Sequence, residues 1–302
     1  MSTPSTMPAM GDAGQVRSKN FPYSYNMVTY GNEDPRRGLE RIAKAGYERV
    51  ELSGDPGDMT PKELRLAIDD LGLTVSSISS LLSSDRDLCH SDTVIRRTGH
   101  NYLLQLIEMA GIVGSPIVNV HPSASNRTYV LTSVEQEWEW SIQGLHALAE
   151  AADGICRLAV EPWNRYETHL INTLDQAIGL VQEIDHQAVC IMGDTFHMAI
   201  EESDPVEALR RTGPLLGHGH FADNTRAAPG LGTIDFAPYL DALIDMNYTG
   251  TITFELFPAK ARPLESVANG EAQEFFDDFT FASLTHLRCV EQQVRDRRGE
   301  MT

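Results

Sequence analysis

The chain has 302 residues, 41% of them hydrophobic and 22% charged, which is enough apolar material for one large core. Its 24 Lys and Arg against 43 Asp and Glu leave a formal charge of −19, a surface that repels nucleic-acid phosphates and anionic bilayers and excludes both as partners. No run of about 18 apolar residues offers a membrane span, and the first residues lack the basic start and apolar block of a secretory signal.

Residues 1–19 are rich in Ser, Thr, Pro, Gly and Met without periodicity and read as a disordered tail before one domain over 20–302. From residue 23 onward, short apolar runs alternate with helical spacing. The strand-like runs are 23–30, 49–53, 74–81, 116–121, 157–163, 188–194, 215–221 and 251–257. Thr60, Pro61 and Glu63 supply a cap, a first-turn proline and an acid at the third helical position. Leu103, Leu106, Ile107, Ala110 and Val113 share one helix face, and Val134, Trp138, Ile142, Leu145, Ala149 and Ala152 share another. A last stripe is Phe236, Leu240, Leu243 and Ile244. Gly46, Gly72, Gly114 and Gly250 stand where helices should close before the next strand.

Strand and helix alternating at intervals of 25–45 residues mark a parallel sheet, because parallel strands need a crossover. Eight such units predict an α/β fold, a single-domain (β/α)8 TIM barrel. The competing doubly wound sheet often carries a glycine-rich dinucleotide turn, and no GxGxxG follows the first run. Residues 258–271 follow the eighth strand and read as a loop over the mouth. Cys89, Cys156, Cys190 and Cys289 form no CxxC and read as reduced thiols of a cytoplasmic protein.

Barrel enzymes keep their reacting residues at the C-terminal ends of strands. Those ends carry His121, Glu161, Asp194, the pair His218 and His220, and Glu255. Four successive strands thus offer Glu, Asp, His and Glu to one small volume. Clustered carboxylates repel unless a cation holds them, so the set points to a divalent metal, with Mn²⁺ favoured and Co²⁺ or Mg²⁺ as alternatives. His218 and His220 face the same side of a strand, and spacing does not choose between them. Glu51, on the second strand, is a weaker candidate that reads more readily as a rim ion pair. Trp163 offers an aromatic face close to these strand ends, for stacking on a ligand or for packing in the wall.

The segments Ala159-Val-Glu-Pro-Trp-Asn-Arg-Tyr-Glu167, Gly193-Asp-Thr-Phe-His-Met198, Gly217-His-Gly-His-Phe-Ala-Asp-Asn-Thr-Arg226 and Phe254-Glu-Leu-Phe257 resemble the ketose 3-epimerases. These are the D-tagatose and D-psicose 3-epimerases among the xylose-isomerase-like sugar isomerases. The resemblance implies a metal held by Glu161, Asp194, His220 and Glu255, a sugar gripped by Glu167, His197 and Arg226, and a homo-oligomer, dimer or tetramer. It implies inversion at C3 of a ketose through an enediolate. Removal of the C3 proton on one face and delivery on the other needs two opposed acid/bases, and Glu161 and Glu255 fill those roles.

Asp223, Thr225, His121 and the late loop depart from the family pattern. The departures keep open a related enzyme on a modified sugar: a 3-keto-glycoside lyase or C-glycoside deglycosidase, an inosose dehydratase, or an aldose–ketose isomerase. A sugar-binding barrel without activity is the non-enzyme alternative. His121 is expected to contact the substrate, with an ordinary pKa near 6.5 that lets it donate a proton at neutral pH. Trp138 and Trp140 cannot share one helix face, so one of them is expected to meet a partner subunit.

Overall fold

A computed structural model describes residues 20–300 apart from 56, 259, 261, 262 and 272, so the expected tail over 1–19 lies outside the described residues. The first half runs β1 (Tyr23–Asn26), α1 (Pro35–Lys44), β2 (Arg49–Ser53), α2 (Pro61–Asp70), β3 (Thr74–Ser79), α3 (Thr93–Val113), β4 (Ile117–Val120) and α4 (Val134–Ala152). Then come β5 (Arg157–Val160), α5 (Leu174–Ile184), β6 (Val189–Asp194), α6 (Thr195–Glu201), α7 (Pro205–Thr212) and β7 (Leu216–His220). The chain ends with α8 (Ala237–Asp245), β8 (Ile252–Phe254), α9 (Pro263–Ala268) and α10 (Gln273–Arg297).

All eight strands are parallel and each pairs with the next. β8 pairs back onto β1 with Tyr23 opposite Ile252, which closes the barrel. The expected (β/α)8 fold is the observed one. Closure removes the sheet edges that an open parallel sheet would leave unpaired. On the outside, α10 locks the first strand in place. Glu291 of α10 accepts hydrogen bonds from Phe21 N at 2.9 Å and from the Tyr23 hydroxyl at 2.8 Å, and Arg295 balances its charge.

Local chemistry explains most boundaries. Thr60 and Glu63 cap each other at the start of α2, with Thr60 N donating to Glu63 Oε2 at 2.8 Å. The stripe from Leu103 to Val113 is buried along α3, which ends on Gly114 with φ +75°. Several strands are shorter than expected, the fifth ending at Val160 and the eighth spanning only Ile252–Phe254, and two departures from expectation have a local cause. The first strand stops at Asn26, because the Asn26 side chain accepts a bond from Val28 N at 2.8 Å and turns the chain into a 3₁₀ turn. After α8 the left-handed position is Asn247, φ +52°, and not Gly250. Gly217, at the entry to the Gly-His-Gly-His run, has a packing reason: a Cβ there would lie 2.5 Å from Cys190 Sγ.

The tryptophans find partners inside the chain. Trp138 Nε1 donates to Glu183 Oε1 at 3.2 Å, and the Arg96 guanidinium lies 4.1 Å over the Trp140 ring. They carry no argument for a subunit contact. Cys89, Cys156 and Cys190 are buried free thiols, and burial raises Cys156 to about 11 and Cys190 to about 12. Among the described residues no helix is long and apolar enough to cross a membrane. The late loop contains α9, which lies against the turn after β1, where a Cβ on Gly31 would meet the Val267 carbonyl.

Candidate active site

The C-terminal ends of β5 to β8 deliver four ligating side chains to one point. Asp194 ends β6 and is also the N-cap of α6, so its Oδ1 accepts from Phe196 N at 2.8 Å. That leaves Oδ2 facing inward. Glu161 and Glu255 each stand one residue past their strand. His220 ends β7 and directs Nδ1 into the cluster, 3.7 Å from Glu161 Oε1, 3.8 Å from Asp194 Oδ2 and 3.4 Å from Glu255 Oε2. The four ligand atoms all lie within 4.8 Å of one another.

Two atoms at this point have no hydrogen-bond partner although they are buried: His220 Nδ1 and Glu161 Oε1. Orphaned buried polar atoms are costly, and here His220 Nδ1 faces three carboxylates while Glu161 Oε1 faces the other two. Three oxygen donors and one imidazole nitrogen fit a divalent cation of the Mn²⁺, Co²⁺ or Mg²⁺ kind, and the orphaned pair is the feature such a cation would satisfy.

Behind His220 stands Glu51, fully buried at the barrel centre rather than on its rim. Its carboxylate accepts from Asn26 Nδ2 at 2.6 Å, His220 Nε2 at 2.8 Å, His218 Nε2 at 2.9 Å, Asn119 Nδ2 at 2.9 Å and the Ser77 hydroxyl. Glu51, His218 and His220 are close enough to suggest a second cation site. Five donors converging on one carboxylate instead make a solvated anion held by hydrogen bonds. The choice between the two histidines is resolved by this placement: His220 reaches the carboxylate cluster, and His218 serves Glu51. Asn26 also donates to Glu255 Oε1 at 3.0 Å, which ties the inner anion to the outer cluster. Sequence reasoning passed over Asn26 and Asn119 and underrated Glu51. The available signal was a glutamate in the middle of the apolar run Arg-Val-Glu-Leu-Ser.

Arg226 sits at φ +61° after β7 and hydrogen-bonds both Asp194 Oδ2 and Glu255 Oε2. A left-handed arginine costs roughly 1–2 kcal/mol, which the two charge-assisted bonds offset. Burial pushes the Asp194 and Glu255 carboxyls up, but Arg226, with His220, outweighs it and holds both below the ordinary range. Glu161 lacks such a partner. Burial, with the neighbouring Glu255 and Asp194 charges, raises its carboxyl well above the usual carboxylate value. Burial and neighbouring charge thus push Glu161 in the opposite direction from Asp194 and Glu255.

His197 and Glu167, the other expected sugar contacts, meet through Asn164. Asn164 N and Nδ2 both donate to His197 Nδ1, at 3.1 and 2.8 Å, and Nδ2 reaches Glu167 Oε1 at 2.8 Å. His197 Nε2 points at the cluster, 4.0 Å from Glu161 Oε1 and 3.9 Å from Asp194 Oδ2. Trp163 stacks on His121 with ring centroids 4.4 Å apart.

His121 is placed differently from expectation. It is enclosed, with Nδ1 accepting from Ser123 N at 3.2 Å and one face covered by Trp163. Burial lowers its pKa to about 4, so the ring is neutral at pH 7 and is not the proton donor that its ordinary value suggested. Trp163 covers one face of the ring, and Nε2 is buried without a hydrogen-bond partner. Asp223, another departure from the family pattern, accepts from the backbone N–H groups of Asn224, Gly230 and Ile234 and shapes the loop after β7.

The model of the xylose isomerase-like TIM barrel family matches residues 39–277. The chain is 31% identical over 226 residues to an L-ribulose 3-epimerase of Mesorhizobium japonicum, covering 74% of this chain and 76% of that one. It is 27% identical over 269 residues to a D-psicose 3-epimerase of Ruminiclostridium cellulolyticum, covering 83% of this chain and 90% of the other. A crystal structure of D-psicose 3-epimerase with D-tagatose from Clostridium cellulolyticum superposes with a TM-score of 0.80 at 25% identity, over 89% of this chain and 99% of that one.

Proposed function

The chain belongs to the xylose isomerase-like TIM barrel family, and on that premise we propose that it is a metal-dependent carbohydrate epimerase inverting C3 of a ketose. The observation that carries this reading is the orphaned pair, His220 Nδ1 and Glu161 Oε1, among three convergent carboxylates. The relatives named as ketose 3-epimerases support the reaction class. Glu161, Asp194, His220 and Glu255 would hold the cation, with Mn²⁺ preferred for an oxygen-rich set with one imidazole. When bound, such a cation polarises the C2 carbonyl and so acidifies the C3 proton.

The chain's own residues supply the rest. Glu161 and Glu255 stand on β5 and β8 sides of the barrel and serve as the two opposed acid/bases, one removing the C3 proton and the other returning it on the far face. Arg226 orients the sugar hydroxyls and the carboxylates at once. His197 and Glu167 hold the hydroxyls near the reacting carbons, and Trp163, backed by His121, closes that side with an apolar face. Buried, unpaired thiols suit a cytoplasmic setting. A homo-oligomer belongs to this reading on the family resemblance alone, and light scattering tests it.

The deciding experiment loads the chain with Mn²⁺ and incubates D-psicose, L-ribulose and other ketoses in D₂O. Deuterium at C3 together with the C3 epimer supports the reading. Absence of both from every ketose, with the cation bound, refutes it.

A further inference from the structure

We propose that Asn164 is a positioning residue that fixes which nitrogen of His197 carries the proton and binds His197 and Glu167 into one unit. The inference rests on the reading above for what that unit grips. Its structural content is independent of the substrate.

The argument starts from a group whose role admits no choice. A backbone N–H only donates, and Asn164 N lies 3.1 Å from His197 Nδ1. Nδ1 must therefore be the acceptor, and the proton of a neutral ring stands on Nε2. The side-chain amide gives the same answer. Asn164 Oδ1 accepts from Tyr166 N at 3.0 Å, so the other end of that amide is the NH₂ group. One of its hydrogens goes to His197 Nδ1 at 2.8 Å and the other to Glu167 Oε1 at 2.8 Å. Every polar atom of Asn164's side chain is then engaged, and the residue is only 2% exposed.

The consequence is directional. Nε2–H is aimed at the cluster formed by Glu161 and Asp194, where it can donate to a substrate oxygen but cannot accept a proton from one. Glu167, fixed by the same amide, remains an acceptor for a hydroxyl. Donor and acceptor are thus set side by side before any sugar arrives, which lowers the ordering needed on binding. A role in packing alone would not require both amide hydrogens to be spent on those two side chains.

The test uses ¹⁵N-histidine-labelled full-length chain, stripped with chelator and separately loaded with diamagnetic Mg²⁺, with His197 assigned by a His197→Gln variant. Long-range ¹H–¹⁵N spectra should show His197 protonated at Nε2 and bare at Nδ1 in both forms. Asn164→Asp, which keeps the size but replaces the donor by an acceptor, should lower kcat/KM by on the order of a hundredfold on any ketose the wild type turns over. Bound metal should be unchanged, and the Nε2–H signal should weaken. Asn164→Ala, which keeps the backbone donor, should hold the tautomer and lose less activity, and it decides the matter if the aspartate variant does not fold. A His197 proton on Nδ1 in the wild type, or both variants within twofold of it, would overturn the inference. A wild type inactive on every ketose refutes the functional reading, while the spectra still decide the tautomer.

Discussion

Glu51 Oε1 lies 2.8 Å from His220 Nε2, and this one contact turns the ring's other nitrogen toward three carboxylates. An imidazole whose far N–H is held by a buried carboxylate is fixed in orientation and made a stronger donor to a cation. Glu51→Gln should therefore weaken divalent-metal affinity by about 10–100-fold while the barrel still folds. Calorimetric titration of the chelator-stripped chain measures it. Wild-type affinity in that variant would show that His220 is positioned without Glu51.

The cation itself should stabilise the fold, since the unfolded chain does not assemble Glu161, Asp194, His220 and Glu255. At a free concentration of about 100 times its Kd the gain is about 2.7 kcal/mol. Glu161→Gln and Asp194→Asn should each abolish most of the melting-temperature rise on adding Mn²⁺. A full rise in both variants would remove the proposed ligand set.

Arg226 is the permanently charged group that pairs with both Asp194 and Glu255. Removing one partner of a buried ion pair costs about 3–5 kcal/mol, because it leaves uncompensated charge. Arg226→Gln should accordingly cost much more stability in chelator than in Mn²⁺, where the metal takes over the compensation. Urea unfolding under the two conditions gives the comparison, and equal losses would contradict it.

His121 contributes one part of the pH dependence, beside His100, His197 and His218, whose pKa values burial also lowers. Its folded pKa, about 4, lies below the ordinary 6.5, so between those values the unfolded chain binds a proton that the native chain does not. Stability from this group is complete above about pH 6.5 and is lost as pH falls toward 4, by about 3 kcal/mol at most. His121→Gln should flatten the stability profile in that window. An unchanged slope between pH 6.5 and 4 would locate the acid sensitivity elsewhere.

A second buried network joins three loops at the mouth. Arg127 pairs with Asp87 at 2.6 Å and with Glu137 at 2.7 Å, and His169 also meets Glu137 at 2.7 Å. Arg127→Met should destabilise the chain by about 3–5 kcal/mol, since it strands two buried carboxylates. Denaturant unfolding tests this, and a loss below about 1 kcal/mol would show that water replaces the guanidinium.

The barrel and the four-strand constellation were legible in the chain itself. Parallel strands buried on both faces need apolar runs at crossover intervals, and the polar residues that close those runs have few places to go but the mouth. Tertiary structure alone decided how the interior polar groups divide their work. His218 and His220 are equivalent by spacing, and only the position of Glu51 on a strand distant in sequence distinguishes them. His121 read as a proton donor because a strand end is local information. Its enclosure by Trp163 and Ser123 comes from the next crossover and from a turn that no periodicity reveals. Asn26, Asn119 and Asn164 were silent for the same reason: an asparagine's role is set by which donors and acceptors the fold brings within about 3 Å of its amide, and that is a property of the assembled barrel.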